Sequence, residues 1–303
     1  MVTLQDAARG VADTLGGFGM FAITEAPSPA DPDARRTLIS TELVDEDRDP
    51  TAFNDYTVYA ADGPLAGQQA AVRRDLFNGT AGRLTTSGQF SAAPTVGQVF
   101  EYHARLPRLR HFGEPGLRDI LNQAAERLWF EDQLPFTQTA STRYPAPAWL
   151  TSDRQILHVL EGGSSGVNPA VSGRSASLVH DSTGAWLQLS SVPGGPFRVV
   201  TRRPHASWIK SGGTWQSSTS GLVDDDDELL ADREALVTVA TWLAYRALNR
   251  RSPDFELSPW KTEELRWELK ASTFLQWHAT TAQPLGAGGG GGGTAWAKSW
   301  RPG

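Results

Sequence analysis

The apolar periodicity of this 303-residue chain switches back and forth between that of a helix and that of a strand, which restricts the folds open to it. Leu4, Ala7, Ala8, Val11 and Leu15 form one helical stripe, stopped by Gly16-Gly17. From about Phe21 to Leu106 the pattern becomes one of short strands. Thr37–Val44 and Tyr56–Ala60 are rich in β-branched and aromatic residues, and Asn78-Gly79 signals a hairpin. Helical spacing returns at Leu117, Ile120, Leu121, Ala124, Ala125 and Leu128, with Arg118, Asp119, Asn122 and Glu126 on the wet side. Residues from about Thr137 to Lys210 are β-rich again, and Ser211–Gly221 reads as a longer polar loop.

Two further helices are expected. One runs from about Asp226 to Asn249 on Leu229, Leu236 and Leu243; the other begins at Ser258-Pro259 and carries Trp260, Trp267 and Phe274. Neither seven-residue spacing continues long enough for a coiled coil. Beyond them lie Gly286-Ala287, the run Gly288 to Gly293, and a tail bearing Trp296 and Trp300. Glycine has the most backbone entropy to lose, so this segment is expected to be a linker with two aromatic anchors. The expected class is α+β: a helical core of about four helices with two antiparallel β excursions and an extended C-terminal tail. The expected segments are a helix over 1–19, a β meander over 20–110 and a helix over 111–133. A second β region over 134–222, a helical pair over 223–282 and a linker with its anchor tail over 283–303 complete the set.

With 39% hydrophobic and 20% charged residues the composition is that of a soluble globular protein. The net charge of −6 supplies no global basic field for nucleic acid or anionic membranes. Without cysteine there are no disulfides, thiolate metal sites or cysteine nucleophiles. The N-terminus lacks the pattern of a signal peptide and no run approaches the roughly 20 apolar residues of a membrane span, so the expectation is synthesis in the cytoplasm and no membrane.

Chemistry is sparse. None of the six histidines has metalloprotease spacing, and His158 with His180, both in strand patterns, is the one pairing that merits attention. Asp224 to Asp227 with Glu228 raises the question of calcium, but lacks the alternating ligand pattern and suits the start of the third helix better. Gly162–Gly166 formally matches a nucleophile elbow at Ser164, yet Pro169 and further Ser/Gly follow where a helix is required. No cofactor, no metal and no catalytic residue is therefore expected.

Arginines gather at Arg105, Arg108, Arg110, Arg250 and Arg251, where a DNA-lining role competes with solvated faces and intersubunit salt bridges. Eleven tryptophans are many for this length. Trp208 and Trp215, flanking a polar loop, and Trp296 and Trp300, with no core of their own, are the candidate partner-binding residues.

The block from Tyr56 to Leu128 contains a strand, a glycine turn, a returning strand, G-R-L-T, P-T-V-G-Q-V-F-E and the helix L-R-D-I-L-N-Q-A-A-E-R-L. In this order, and with the late helix L-L-A-x-x-x-A-L-V-x-x-A-x-x-L-A-Y-R, the chain resembles structural virion proteins of tailed bacteriophages. The likeness is to those of the head–tail connector or neck, and it covers about half the chain. It implies a non-enzymatic adaptor in the virion neck, a homo-oligomeric ring of about twelve copies with closed symmetry. Its partners would be the portal protein and stopper or tail proteins, with non-specific contact to packaged double-stranded DNA. Two other classes stay open: a tail-tip or baseplate protein whose β region binds glycans through Trp208 and Trp215, and a hydrolase built around His158, His180 and Ser164.

Overall fold

The computed structural model describes residues 1–45, 47–162, 170–252 and 258–280. The chain forms two compact units, one from Met1–Phe130 with Arg203–His278, the other with Glu131–Arg202 as its described body.

Three helices of the first unit bury their apolar stripes in one cluster. Helix α1 (Leu4–Leu15) starts at Thr3, whose hydroxyl accepts from the Asp6 N–H at 3.1 Å, and ends at Gly16 with φ of 77°. It buries Leu4, Ala7, Ala8, Val11, Ala12 and Leu15, the expected stripe with one more alanine. Helix α2 (Leu117–Arg127) buries Leu117, Ile120, Leu121, Ala124 and Ala125. It begins at Gly116, where a Cβ would lie 2.4 Å from the Leu109 carbonyl carbon, so only glycine allows this close approach. Asn122, expected to face water, instead holds the chain at Leu222. Its amide donates to the Leu222 carbonyl at 3.0 Å and accepts from the Leu222 N–H at 2.7 Å.

Helix α3 (Arg233–Arg251) is buried over most of its circumference, with Leu236, Val239, Ala240, Leu243, Ala244 and Leu248 in the cluster that α1 and α2 share. Helix α4 (Trp260–Thr280) adds Ala271, with Trp260, Trp267, Phe274 and Leu275 packed against the same cluster. A four-stranded sheet ordered Val2–Thr3, Glu228–Leu229, Trp208–Ser211, Thr214–Ser217 contributes Val2, Ile209 and Leu229 to it.

Helix α3 starts seven residues later than its spacing suggests. Asp232 is the cap, accepting from the Ala235 N–H at 3.0 Å, so the acidic run does not cap this helix. Glu228–Leu229 is a strand paired with Val2–Thr3, and the carbonyls of Asp225 and Asp227 accept from the N–H groups of Gln5 and Leu4. Those bonds satisfy the first turn of α1, and they require Asp225–Leu229 to stay out of the helix.

The β meander has its own core. A sheet ordered Phe18–Ala22, Val99–His103, Thr57–Ala60, Gln69–Ala71 and a pair of Thr37–Ile39 with Arg83–Thr85 enclose Phe21, Leu38, Phe53, Val58, Leu84 and Phe100. Asn78 bridges Arg83, so the expected turn at Asn78-Gly79 is wider than a two-residue hairpin. Gly79 and Gly82 leave no room there for a side chain, since a Cβ would come 2.2 Å from the Asp45 oxygen and 2.0 Å from that of Ser40.

The second unit carries two sheets over one core. Ala170–Val171, Ile156–Glu161, Phe197–Pro204 and Trp129–Phe136 form one, and Ala176–Asp181, Gly184–Leu189 and Arg143–Pro145 the other. Tyr144, Val159, Leu187, Phe197 and Val199 meet between them, with Phe136 stacked on Phe197 at 5.2 Å.

The described residues hold seventeen strands in five antiparallel sheets against four helices. This overturns the expectation of a helical core with two β excursions. The segments between the helices bury cores of their own, and strands enter the helical cluster as well. Helical periodicity is easier to see than short strands, which overstated the helices' share. Truncating Leu236, fully buried in the cluster that α1, α2 and α3 share, to Ala is expected to cost about 2–5 kcal/mol, measured by urea unfolding of the whole chain.

Candidate functional site

The first unit encloses a chain of charged groups. Glu101, on the central strand Val99–His103, is fully buried and accepts from the Arg9 Nε of α1 at 2.6 Å. The imidazole of His103 lies 3.4 Å away. Arg108, equally buried, donates through Nη2 to Asp225 at 2.5 Å and rests 5.5 Å from the centre of the Tyr59 ring. The Tyr59 hydroxyl donates to the other Asp225 oxygen at 2.7 Å. Burial alone would raise the pKa of Glu101, but the neighbouring His103, Arg108 and Arg9 outweigh it and hold the carboxyl below its ordinary value. Burial and the Asp225 carboxylate push the Tyr59 phenol up.

This placement removes Arg108 from the residues that face DNA: the single chain offers it no solvent, and its guanidinium is committed to Asp225. The other arginines are nearer the surface. Arg105 is exposed and lies 5.0 Å from the centre of the Trp260 ring. Arg110, with a side chain 67% exposed, pairs with Asp119 at 3.3 Å. Arg251 pairs with Glu114 at 3.0 Å, its pKa lowered by burial, and Arg250 is exposed beside it at the end of α3. Arg110 and Arg251 are therefore held by carboxylates in this chain.

Ser211–Gly221 is not simply a loop. Trp208–Ser211 and Thr214–Ser217 form a hairpin that turns at Gly212 and Gly213, with φ of 56° and 82°. Lys210 pairs with Trp215 and Trp208 with Ser217, so the two tryptophans share a face and stack at 6.5 Å with 10° between planes. Arg203 lies over Trp208 at 4.4 Å, and its guanidinium donates to Ser207 and Ser217. Both rings are half-buried, forming a cation-and-aromatic stack where two free anchors were expected.

Carboxylate oxygens of Asp224, Asp226 and Asp227 lie within 4.8 Å of one another, but one Asp227 oxygen already accepts from the Val223 and Asp224 N–H groups. His158 and His180 lie on strands of different sheets in the second unit. Ser164, Trp296 and Trp300 fall outside the described residues.

Nothing in the local pattern pairs Arg108 with Asp225 and Tyr59, or Glu101 with Arg9. One signal was available, a glutamate between Phe100 and Tyr102 in an otherwise apolar strand. Because the folded-state pKa of Glu101 is depressed, its contribution is complete above the unfolded carboxylate pKa of about 4.3 and disappears as pH falls below it. Arg108→Ala takes the ion-pair partner from Asp225 and a neighbouring positive charge from the buried Glu101, and is expected to cost about 1–3 kcal/mol at neutral pH, with acid unfolding beginning at higher pH. Unfolding followed by circular dichroism across a pH series reads both effects. No protein-family model matches this sequence, and a search of curated proteins returns no match.

Proposed function

We propose that the chain is a structural virion protein of a tailed bacteriophage, a ring-forming head–tail adaptor that joins portal to tail around the DNA channel. One observation carries this reading. The helix that closes the first resembling stretch, α2 of Tyr56–Leu128, and the late helix α3 are far apart in the chain yet share one core, while the strands of that stretch keep their own. Leu117, Ile120, Leu121, Ala124 and Ala125 of α2 share the helical core with Leu236, Val239, Leu243 and Leu248 of α3. The Glu131–Arg202 unit is inserted between them.

Surface chemistry agrees with assembly. Leu265 and Leu269, one turn apart on α4, are 53% and 74% exposed, while Trp267 and Ala271 of the same helix pack inward. Arg105, Arg110, Arg250 and Arg251 are the remaining candidates for the DNA channel. Among the described residues no helix is long and apolar enough to cross a membrane. Trp296 and Trp300 are proposed as anchors on an adjacent subunit or ring, since tethering raises their local concentration to about the millimolar range.

Negative-stain class averages of the purified protein, alone and with candidate portal and stopper proteins, are expected to give closed rings. A monomer or trimer with affinity for glycans would overturn the adaptor reading. Removal of residues 286–303 is expected to leave thermal unfolding unchanged and to weaken binding to the neighbouring ring; undiminished binding would dispose of the anchor role.

A further inference from the structure

The residues that join the β meander to α2 carry an unusual side chain. His111 and Glu114 close a two-residue turn, His111 N–H donating to the Glu114 carbonyl at 3.2 Å and Glu114 N–H to that of His111 at 2.9 Å. The central residues, Phe112 and Gly113, have φ of 46° and 83°, so both are left-handed. Such a turn favours Asn-Gly or Gly-Gly, and a bulky residue at positive φ is a genuine outlier. Phe112 is nevertheless at its first position and 92% exposed, the most exposed large hydrophobic among the described residues. Within this chain the turn thus carries backbone strain and an unburied aromatic ring together, and such strain concentrates where a segment has a task beyond the fold.

The turn is braced. Glu114 is held by Arg251 at the end of α3, Arg110 is tied to Asp119 in the first turn of α2, and the His111 ring lies 4.2 Å from that of Phe112. A ring presented on a rigid support loses little entropy when it docks, the physical profile of an interface anchor.

We infer that Phe112 is a knob that inserts into a cleft on a second copy of this chain. The same unit contains an open, largely polar cleft of about 670 Å³ in which Pro50 and Leu76 are the exposed apolar residues, with Arg73, Asp75 and Asp33 around it. Leu76 is 44% exposed, and Arg73 makes no ion pair among the described residues. Glu114 and Arg110, each paired within the chain through one side of its head group, stay half or more exposed and present charges opposite to Arg73 and to Asp75 and Asp33 on this rim. Knob and cleft are different patches, so the contact is heterologous, head to tail, and closes into a ring when the rotation permits. This inference rests on the ring-forming reading and names the contact that builds the ring.

Sedimentation velocity and thermal unfolding of Phe112→Gly test it. Glycine accepts a φ of 46°, so the fold should keep or raise its melting temperature, while the dissociation constant between copies rises by about ten- to a hundredfold. The chain has no cysteine, which allows a second arm. Phe112→Cys mixed with Leu76→Cys should give a disulfide-linked pair that contains one of each variant. If Phe112→Gly assembles as tightly as wild type, or if the mixed pair never forms, the knob is overturned and the ring reading stands. If Phe112→Gly lowers the melting temperature and leaves assembly unchanged, Phe112 has a structural role and the knob is likewise overturned. Loss of binding to a portal or stopper protein with self-assembly intact assigns Phe112 to that partner and overturns the second copy. A wild-type chain that stays monomeric at every soluble concentration overturns both readings.

Discussion

A helix that is apolar nearly all round has to be enclosed, and α3 imposes this condition on the first unit. Twelve of its nineteen residues are buried. No single flanking element covers such a surface, and in water its exposed stripes would cost more than helix propensity returns. Helices α1 and α2 cover it with alanine-rich faces, through which helix axes approach closely, and α4 brings tryptophan and phenylalanine. The N-terminal strand and the segment Asp225–Leu229 then complete the enclosure by pairing with each other. Residues 1–15 and 225–251 are consequently one structural piece despite their separation in sequence.

A seam of charge runs along this enclosure. Arg9 of α1, Glu101 of the meander, and Arg108 with Asp225 connect elements whose apolar faces do not specify a register against one another. Buried ions are poor sources of net stability, because desolvation offsets most of the attraction. They are intolerant of misplacement, however, since a shifted partner leaves a bare charge in a dry interior. The seam therefore selects one arrangement of α1, the meander and the acidic run more than it strengthens that arrangement.

Legibility from sequence followed the range of the physics involved. The stripe of α1, its glycine stop, the face of α2 and the seven-residue recurrence of tryptophan and phenylalanine on α4 all depend on neighbours within a few turns, and they were readable. Helix α3 was readable in its middle and wrong at its start, where backbone bonds to residues 4 and 5 overrode local preference. Loop composition conceals the hairpin carrying Trp208 and Trp215, because Gly212-Gly213 and the serines suit an irregular loop and a tight β turn equally. Arg108 was misplaced because its partner lies 117 residues away. The exposure of Phe112 left no mark in the pattern at all.

By itself the amino-acid sequence determined where helical stripes occur, where glycine ends or turns the chain, that no thiol chemistry is available, and that the tail is rich in glycine and tryptophan. Those properties reside in side chains and local backbone freedom. Tertiary structure alone decided that the strands form separate cores, that Asp225 serves Arg108 and Tyr59 and caps no helix, and that Phe112 faces water on a strained turn. The physical reason is that burial and ion pairing are settled between distant segments, and a local pattern contains no record of what will be packed against it.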